Sequence, residues 1–266
     1  MPQPLPDWAD WAARWERMQD GHLPGREERS AVLVDCCHAA GAAPRVLELG
    51  CGPGGILRRL RRGHPRSSLV GVDHDPLLLT IAAAIHDGDD GVRLVDADLR
   101  DPDWVAALGP APFDAVVSST ALHWLGPDDL ARVYQQAHDL LRPGGIFANA
   151  DHFAFDDEGL DRLARTASAR EEAAARAAGT GETWDAWWAA LAQVPAAATL
   201  LEERARRFPP SDAHHGHHLG EAWHRAALAA AGFHSVTTAW RWYDSAVLIG
   251  RAAPPADPSA QGPAPH

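Results

Sequence analysis

A run of glycines after a short apolar segment is the strongest candidate for a ligand-binding loop. Residues 46–49 are typical of a strand, and Gly50-Cys51-Gly52-Pro53-Gly54-Gly55 then leads into a helical pattern. Glycines let the backbone approach a ligand closely and adopt dihedral angles that a Cβ would forbid. The spacing of Gly50, Gly52 and Gly55 also fits Gly-x-Gly-x-x-Gly, which sets a pyrophosphate on a helix N-terminus. The loop by itself therefore fits more than one class of nucleotide ligand.

Acidic residues near the ends of the first three predicted strands could bind the rest of such a ligand. Glu48 would repel a pyrophosphate but could accept hydrogen bonds from a cationic amino acid, which favours a sulfonium cofactor. Asp73, followed by His74, ends the second strand, where a carboxylate could bind both ribose hydroxyls, as it also does in NAD enzymes. Asp98 follows the third strand and could accept the amino group of adenine, while the Leu99 amide meets a ring nitrogen. Together these residues predict a nucleoside site.

His123 and His152 are the candidates for a catalytic base, because neutral imidazole titrates near working pH. His123 follows the fourth predicted strand by a few residues, and His152 leaves the fifth strand toward the same edge of the sheet. The alternative for His123 is that it only packs, with Trp124, the loop beneath the ligand. Both interpretations stay open at the level of sequence.

The elements that would position these residues alternate between short apolar runs and helical stretches. Such alternation is typical of β-α-β units and a parallel sheet. Strands are predicted at 45–49, 68–72, 92–97, 115–118 and 146–150, with helices near 56–62, 76–86, 103–108 and 128–141. Arg142-Pro143-Gly144-Gly145 is expected to end the last of these helices. Inserted helices are predicted between 158 and 207, then a helix at 219–231 and two closing strands at 233–240 and 246–251.

Two groups of tryptophans have helical spacing and could face the acceptor. Trp8, Trp11 and Trp15 lie in a predicted helix at 7–20, before the break at 21–25 and a second helix at 27–40. Trp184, Trp187 and Trp188 lie in the insertion, as a buried seam or as an aromatic wall that favours a planar or apolar substrate and cation–π contact. The predicted substrate-pocket residues are Trp15, His22, Trp124, Trp184 and Trp188.

Composition excludes several chemistries and partners. The 266 residues carry a formal net charge of −12, which argues against nucleic acid as a partner. Lysine is absent, so Schiff-base and lysine-base mechanisms are excluded. Cys36, Cys37 and Cys51 lack the spacing of zinc or redox motifs and suit a reducing compartment. No apolar run approaches the roughly 20 residues of a membrane span, and the start lacks a secretory signal, so we expect a cytoplasmic protein without a membrane partner.

The histidine-rich run at 214–218 has the composition of a metal-binding tract. Asp212 and Glu221 could complete a site for Zn, Fe or Ni. Such tracts are often solvated loops, and this one precedes the helix that leads to the sixth strand. We therefore predict no functional metal.

Five motifs stand in a consistent order along the chain. They are Glu48-Leu49-Gly50-Cys51-Gly52-Pro53-Gly54, Asp73, Asp98-Leu99, Phe113-Asp114-Ala115-Val116-Val117-Ser118 and Leu140-Leu141-Arg142-Pro143-Gly144-Gly145. This set resembles the class I S-adenosylmethionine (SAM)-dependent methyltransferases over about residues 45–150. The closing pair of strands resembles the family's antiparallel ending, which nicotinamide Rossmann domains lack. Ala121-Leu122-His123-Trp124-Leu125 resembles, more weakly, the trans-aconitate methyltransferase-like branch, which implies small-molecule acceptors.

The resemblance implies roles for particular residues. Glu48, Gly50, Gly52 and Gly54 would hold the methionine part of SAM, Asp73 the ribose, and Asp98 with Leu99 the adenine. Ser118 and Ser119 would lie beside the transferring methyl group. Methyl transfer from a sulfonium is an in-line displacement, so an acceptor that is already ionised needs orientation and desolvation more than a base.

The expected fold is α/β: a Rossmann-like, doubly wound, seven-stranded sheet with only the last strand antiparallel, plus a helical cap. We divide the chain into an N-terminal segment covering the active site (1–44), the SAM-binding core (45–154), a helical cap insertion (155–210), a completion of the sheet (211–251) and a flexible tail (252–266). The expected protein is a monomer or homodimer that methylates an O, N or C atom of a small molecule and releases S-adenosylhomocysteine (SAH). The alternatives are a noncatalytic SAM- or SAH-binding scaffold and a NAD-dependent oxidoreductase.

Overall fold

Seven strands form one sheet in the computed structural model, which describes residues 6–179, 182–209 and 219–255. They are β1 (Arg45–Leu49), β2 (Ser68–Asp73), β3 (Val92–Asp96), β4 (Phe113–Ser119), β5 (Leu141–His152), β6 (Ser235–Trp242) and β7 (Ser245–Arg251). Their order across the sheet is β3-β2-β1-β4-β5-β7-β6, and β7 alone among them runs antiparallel to its neighbours. The predicted seven-stranded sheet with an antiparallel last strand is confirmed.

Nine α-helices accompany the sheet within the described ranges. They are α1 (Trp8–His22), α2 (Arg26–Ala40), α3 (Gly55–Gly63), α4 (Pro76–Ile85), α5 (Pro127–Leu140), α6 (Glu158–Ala177), α7 (Trp184–Leu191), α8 (Ala198–Arg207) and α9 (Glu221–Ala230). Short 3-10 turns occur at Trp104–Leu108, Leu122–Trp124 and Pro195–Ala197. Asp75 begins α4 by accepting hydrogen bonds from the amides of Leu77 and Leu78, which leaves β2 and α4 joined by a tight turn.

Both faces of the sheet are covered, so the central parallel strands are apolar on both sides. Along β1, Val46 belongs to a core layer that includes Leu33 of α2 and Leu57 of α3. The next residue, Leu47, belongs to the opposite layer, which includes Tyr134 of α5. This alternation fixes the register of β1. Because β1 to β5 pair in parallel, their carboxyl ends lie at one edge of the sheet.

The N-terminal segment and the cap share a third apolar cluster. Trp15 and Met18 of α1 belong to it with Leu78 of α4 and Trp187 of α7. The indole rings of Trp15 and Trp187 meet edge to face, with their centroids 4.9 Å apart. Helix α1 therefore joins the β2–α4 region to the cap.

Several predicted boundaries were wrong. Helix α1 continues through Gly21 to His22, so the chain breaks only at Leu23. Strand β5 begins at Leu141, because Leu141 already pairs with Phe113 before the register shifts around the glycine pair. Residues 103–108 form a 3-10 turn rather than an α-helix. The closing strands are each shifted by about two residues or fewer and meet in a tight turn at 243–244. The boundary predicted for the flexible tail, at residue 252, lies too early in the chain, since the Ala252 amide donates to the Gly145 carbonyl at 3.0 Å.

Two predictions fall wholly or mainly on residues outside the described ranges, namely the histidine-rich run at 214–218 and the tail beyond residue 255. Within the described ranges, no helix combines the length and apolar character needed to cross a membrane. The same ranges contain no group of three or more His, Cys, Asp or Glu side chains placed to hold a metal ion.

Candidate active site

The glycine loop between β1 and α3 is held closely on two sides. Gly50 has a φ of +67°, and a Cβ here would overlap the Cβ of Ala121, which follows β4. A Cβ on Gly55 would overlap the carboxylate of Glu16 from α1. At Gly50, only glycine combines the left-handed backbone conformation with so close a neighbour. The loop is therefore confined between the end of β4 and the N-terminal helix.

A main cavity of about 420 Å³ opens at the carboxyl edge of the parallel strands. Six of the predicted cofactor residues line it: Gly50, Gly52, Asp73, His74, Asp98 and Leu99. Residues from the cap complete the lining, including Trp184 and Trp188 of α7 and Arg204 of α8. The structure thus brings the ends of β1, β2 and β3 together with the insertion around one space.

Asp73 connects the tip of β2 to the glycine loop. Its Oδ2 accepts a hydrogen bond from the Gly52 amide at 2.7 Å, and its Oδ1 accepts from the amides of His74 and Asp75 at 2.8 and 2.9 Å. Burial raises the pKa of Asp73, and the three hydrogen bonds oppose that rise. Because Oδ2 has one of these donors, it can accept a further hydrogen bond from a ligand hydroxyl.

Asp98 already holds a cation at the end of β3. Its Oδ2 accepts from Nε and Nη2 of Arg100 at 3.0 and 2.8 Å. Burial raises the pKa of the Asp98 carboxyl, but the hydrogen bonds and charge of Arg100 outweigh it, and the net shift is downward. The His74 ring lies 3.7 Å from Asp98 and from Asp96. The side of the cavity near β3 is therefore ionic and well ordered by internal contacts.

Glu48 lies in a smaller cavity, of about 60 Å³, on the other side of the glycine loop. The side chain is 1% exposed, and Oε2 has no hydrogen-bond partner among the described residues. Burial, together with the charge of Asp73, raises the pKa of Glu48 well above its ordinary value. Gln19 of α1 and Arg26 of α2 line the same cavity. Burying a carboxylate oxygen without a hydrogen-bond partner costs free energy, and a ligand that donates a hydrogen bond to it would remove that cost.

The other predicted cofactor residues lie in different surroundings. Ser119 lines the smaller cavity, and Thr120 and Gly52 line both cavities. Ser118 is fully buried, and its hydroxyl donates to the Leu49 carbonyl at 2.8 Å, which ties β4 to β1. Gly54 lies outside both cavities, and its carbonyl is 3.3 Å from Nε2 of His86.

His123 and Asp151 form a closely paired dyad at the ends of β4 and β5. Nδ1 of His123 is 2.7 Å from Oδ1 of Asp151, and the His123 amide donates to Oδ2 at 3.2 Å. Burial lowers the pKa of His123, but the charge and hydrogen bond of Asp151 outweigh it, so the net shift is upward. Burial likewise raises the pKa of Asp151, and the interaction with His123 overcomes this, bringing it to about 2. Asp151 thus engages Nδ1 of His123, and His123 itself is not among the residues that line either cavity.

The second predicted base also has a carboxylate partner. Nδ1 of His152 lies 3.2 Å from Oδ2 of Asp244, and the His152 amide donates to Asp151. Arg29 of α2 is 2% exposed, and its two terminal nitrogens make no hydrogen bond to any described residue. Burial lowers the pKa of Arg29 to about 10, against the opposing charges of Asp151 and Asp244. The two histidines therefore share one partly ionic cluster beyond the end of β5.

The predicted substrate-pocket residues separate into two groups. Trp124, Trp184 and Trp188 line the main cavity. Trp15 is mostly buried behind it, with its ring 5.1 Å from the Trp184 ring. Trp187 is fully buried and packs in the core between α1 and α7, whereas Trp184 and Trp188 face the cavity. The prediction for the His22 side chain lies outside the part of the chain that the structure describes.

Sequence reasoning missed several residues that surround these cavities. Gln19, Leu23 and Arg26 reach the smaller cavity from α1 and α2, and no local motif marks them. Thr120 has a φ of +51°, which is uncommon for a β-branched residue and often accompanies a functional site. Arg204 and Phe208 belong to the insertion, whose composition is typical of helices but which contains no motif that marks a binding residue. Their tertiary position could not be inferred from spacing.

Residues 46–145 match the protein family described as "Methyltransferase domain". The matched range holds the glycine loop, Asp73, Asp98 and His123, all of which lie at the sheet edge described above. The predicted methyltransferase domain is therefore confirmed for residues 46–145, the part of the chain that the family match covers.

Particular relatives cover different parts of the chain. Trans-aconitate 2-methyltransferase of Streptomyces avermitilis is 31% identical over 141 residues, covering 50% of this chain and 49% of the relative. Malonyl-[acyl-carrier protein] O-methyltransferase of Magnetococcus marinus is 36% identical over 108 residues, covering 40% of this chain and 37% of the relative. The chain thus spans about half, or less, of the curated relatives it matches.

The fold also resembles solved structures at low sequence identity. The N-methyltransferase NodS from Bradyrhizobium japonicum WM9, in complex with SAH, aligns with a TM-score of 0.52 at 16% identity. The alignment covers 88% of this chain and 89% of that chain. At this level of identity the similarity concerns the fold.

Proposed function

We propose that this protein transfers a methyl group from SAM to an O, N or C atom of a small-molecule acceptor by in-line displacement. The observation that carries the proposal is the buried carboxylate of Glu48 beside the glycine loop, whose Oε2 has no hydrogen-bond partner in the described part of the chain. The ammonium group of an amino acid would satisfy it, whereas a pyrophosphate would be repelled. This supports SAM over a dinucleotide.

The residues fit SAM along its length. Glu48 would accept the ammonium group, Asp73 would accept a ribose hydroxyl through Oδ2, and Asp98 with Leu99 would flank the adenine. Gly50 and Gly52 border both cavities, so one ligand passing the loop would contact each part of the set. SAM supplies an electrophilic methyl group when it is bound. The protein's part is to bind, orient and exclude water.

His123 is the proposed base for an acceptor that carries a proton. Asp151 fixes one ring nitrogen and raises the pKa of the imidazole, which strengthens it as a proton acceptor. The neighbouring residues Ala121, Trp124 and Leu125 line the main cavity, so this short segment connects the dyad to the cofactor site. His152, with its partner Asp244, is the second candidate for the same task.

A carboxylic acid is the second candidate for the acceptor class, favoured by the names of the relatives, which contain trans-aconitate and a malonyl group. A carboxylate needs no base, and protonated His123 would instead donate a hydrogen bond to it. The two acceptor classes therefore give opposite pH dependences. Activity on a hydroxyl or amine rises as His123 loses its proton, and activity on a carboxylate falls.

The test is an acceptor screen that measures SAH release and the mass of the methylated product for panels of carboxylic acids, phenols and amines. Turnover with any panel supports the proposal. A noncatalytic scaffold would bind SAH but give no product with any panel. The three buried cysteines favour action in the cytoplasm, and the acidic composition favours a small molecule over nucleic acid. The proposed oligomeric state is a monomer or homodimer.

A further inference from the structure

The cap contributes an aromatic and cationic surface to the main cavity. We call it the cap wall: Trp188 of α7, Arg204 of α8 and Phe208, which follows α8. The guanidinium carbon of Arg204 lies 4.0 Å from the centroid of the Trp188 ring and 5.3 Å from that of Phe208. One arginine therefore holds two aromatic rings beside the cavity.

The cap wall is fastened to the turn that follows β2. Nε of Arg204 donates to Oδ2 of Asp75 at 2.6 Å, while the other oxygen of Asp75 begins α4. The Phe208 ring contacts the His74 ring, with their centroids 5.5 Å apart. Asp75 is 4% exposed, so the ion pair with Arg204 is partly shielded from water. The wall thus has a defined position rather than a loose one.

A second arginine of α8 makes contacts at the same place. Nη1 of Arg207 donates to Asp96 at the end of β3, at 2.7 and 2.9 Å, and to the His74 carbonyl at 3.0 Å. These partners follow β2 and β3. In the sheet, β2 and β3 lie on one side of β1, and β4 and β5, which carry the His123–Asp151 dyad, lie on the other. The wall therefore stands at the nucleoside end of the site.

We propose that Trp188 and Phe208 pack against the adenine of SAM, and that Arg204, held by Asp75, positions both rings. This inference rests on the proposed function. Adenine is a flat aromatic ring system, and aromatic side chains bind it through stacking and edge contacts. The insertion would then bind the cofactor in addition to covering the acceptor site. Trp188 and Phe208 would contact adenine and would not determine which acceptor binds.

Two ligands distinguish binding of the amino acid part of the cofactor from binding of its adenosyl part. SAH has both the amino acid and the adenosyl group, whereas 5′-methylthioadenosine keeps the adenosyl group and lacks the amino acid. Calorimetric titration of Trp188→Leu and Phe208→Leu should show a loss of about tenfold in affinity for both ligands, by the same factor. Glu48→Gln should weaken SAH and leave methylthioadenosine unchanged.

Arg204 is tested as a positioning residue. Arg204→Met removes the ion pair with Asp75 and should weaken both ligands, while Arg204→Lys keeps a cation near Asp75 and should recover part of the affinity. Trp242→Leu is the matched control, because Trp242 lies at the hairpin of β6 and β7, packed on Tyr243. Thermal unfolding of each variant confirms that it is folded before it is titrated.

Each outcome decides between the inferences. Unchanged affinity of Trp188→Leu and Phe208→Leu for both ligands, with SAH bound normally by the parent protein, overturns the cap-wall inference and leaves the methyltransferase proposal standing. Weakened SAH binding with normal methylthioadenosine binding also overturns it, because the wall would then contact the amino acid. Failure of the parent protein to bind SAH overturns the proposed function itself.

Discussion

The surroundings of Glu48 indicate the charge of the ligand group that binds beside it. A carboxylate in this position is hidden from water and lacks a partner on Oε2 among the described residues, so in the free protein its protonated form is favoured. An arriving ammonium group needs the ionised form. Binding of SAM or SAH is therefore expected to release a proton from Glu48 at pH values below its raised pKa.

The first prediction follows from that linkage. The affinity of the parent protein for SAH should rise with pH as Glu48 loses its proton, and Glu48→Gln should be both weaker, by about tenfold or more, and independent of pH over the same range. Calorimetry between about pH 5.5 and 8 measures both. A pH-independent affinity in the parent protein would contradict the assigned role.

Asp151 and His123 carry the second prediction. Because Asp151 raises the pKa of His123, Asp151→Asn should let burial lower it, and the acidic limb of the kcat profile should move to lower pH. Loss of the orienting hydrogen bond should also reduce maximal kcat by about 10²-fold or more. Asp244→Asn is the matched control, because Asp244 pairs with His152, and it should leave this limb in place if His123 is the base. A carboxylate acceptor would instead show activity that falls as pH rises through the pKa of His123.

Prediction from sequence succeeded best for residues at the ends of strands. Asp73 and Asp98 were placed at the cavity because the carboxyl ends of parallel strands share one edge. Ser118 was expected beside the methyl group, but its hydroxyl points to the Leu49 carbonyl, and strand position alone does not tell which neighbour a hydroxyl meets. The partner of His123 was missed because Asp151 is distant in sequence and reaches it only through the pairing of β4 with β5.

At the scale of elements, the glycine loop is constrained by what packs on it. The third prediction is that Gly50→Ala lowers the free energy of unfolding by about 2–4 kcal/mol, from the left-handed φ and the overlap with Ala121. Adding Ala121→Gly should remove the overlap and restore part of the loss. Gly88→Ala is the control, because Gly88 has a φ of +74° with open space around it and should lose only about 1 kcal/mol. Denaturant unfolding measures all four proteins.

Equal losses for Gly50→Ala and Gly88→Ala would contradict the close packing of the loop on Ala121. A double variant no more stable than Gly50→Ala would contradict it as well. Binding of SAH to Gly50→Ala should also weaken, because the loop borders both cavities.

Element types were predicted well where apolar periodicity was strong. The strands from β1 to β4 were located within a few residues, since each is a short apolar run whose ends carry turn residues. Strands β1, β2 and β4 are largely buried, whereas β3 lies at the edge of the sheet and is partly exposed. The tryptophans of α7 show the limit of this reasoning. Helical spacing placed Trp184, Trp187 and Trp188 near one another, but whether each faced the core or the cavity depended on how α1 and α8 pack against α7.

The molecule as a whole combines a Rossmann-like sheet with a helical cap over the carboxyl edge of its strands. The doubly wound sheet followed from β-α-β logic, and its antiparallel last strand followed from the resemblance to a family with that ending. The cap had no motif, and its ion pairs from Arg204 and Arg207 join residues more than one hundred positions apart. Local sequence patterns do not reveal long-range pairs of this kind, so the residues that the cap contributes to the cavity were not predictable from the sequence.

The most direct measurement is calorimetric titration of the whole protein with SAM, SAH and NAD. The unsatisfied Glu48 and the antiparallel ending predict micromolar binding of SAM and SAH and no binding of NAD. Binding of NAD without SAM or SAH would contradict the interpretation of the glycine loop and, with it, the proposed methyl transfer.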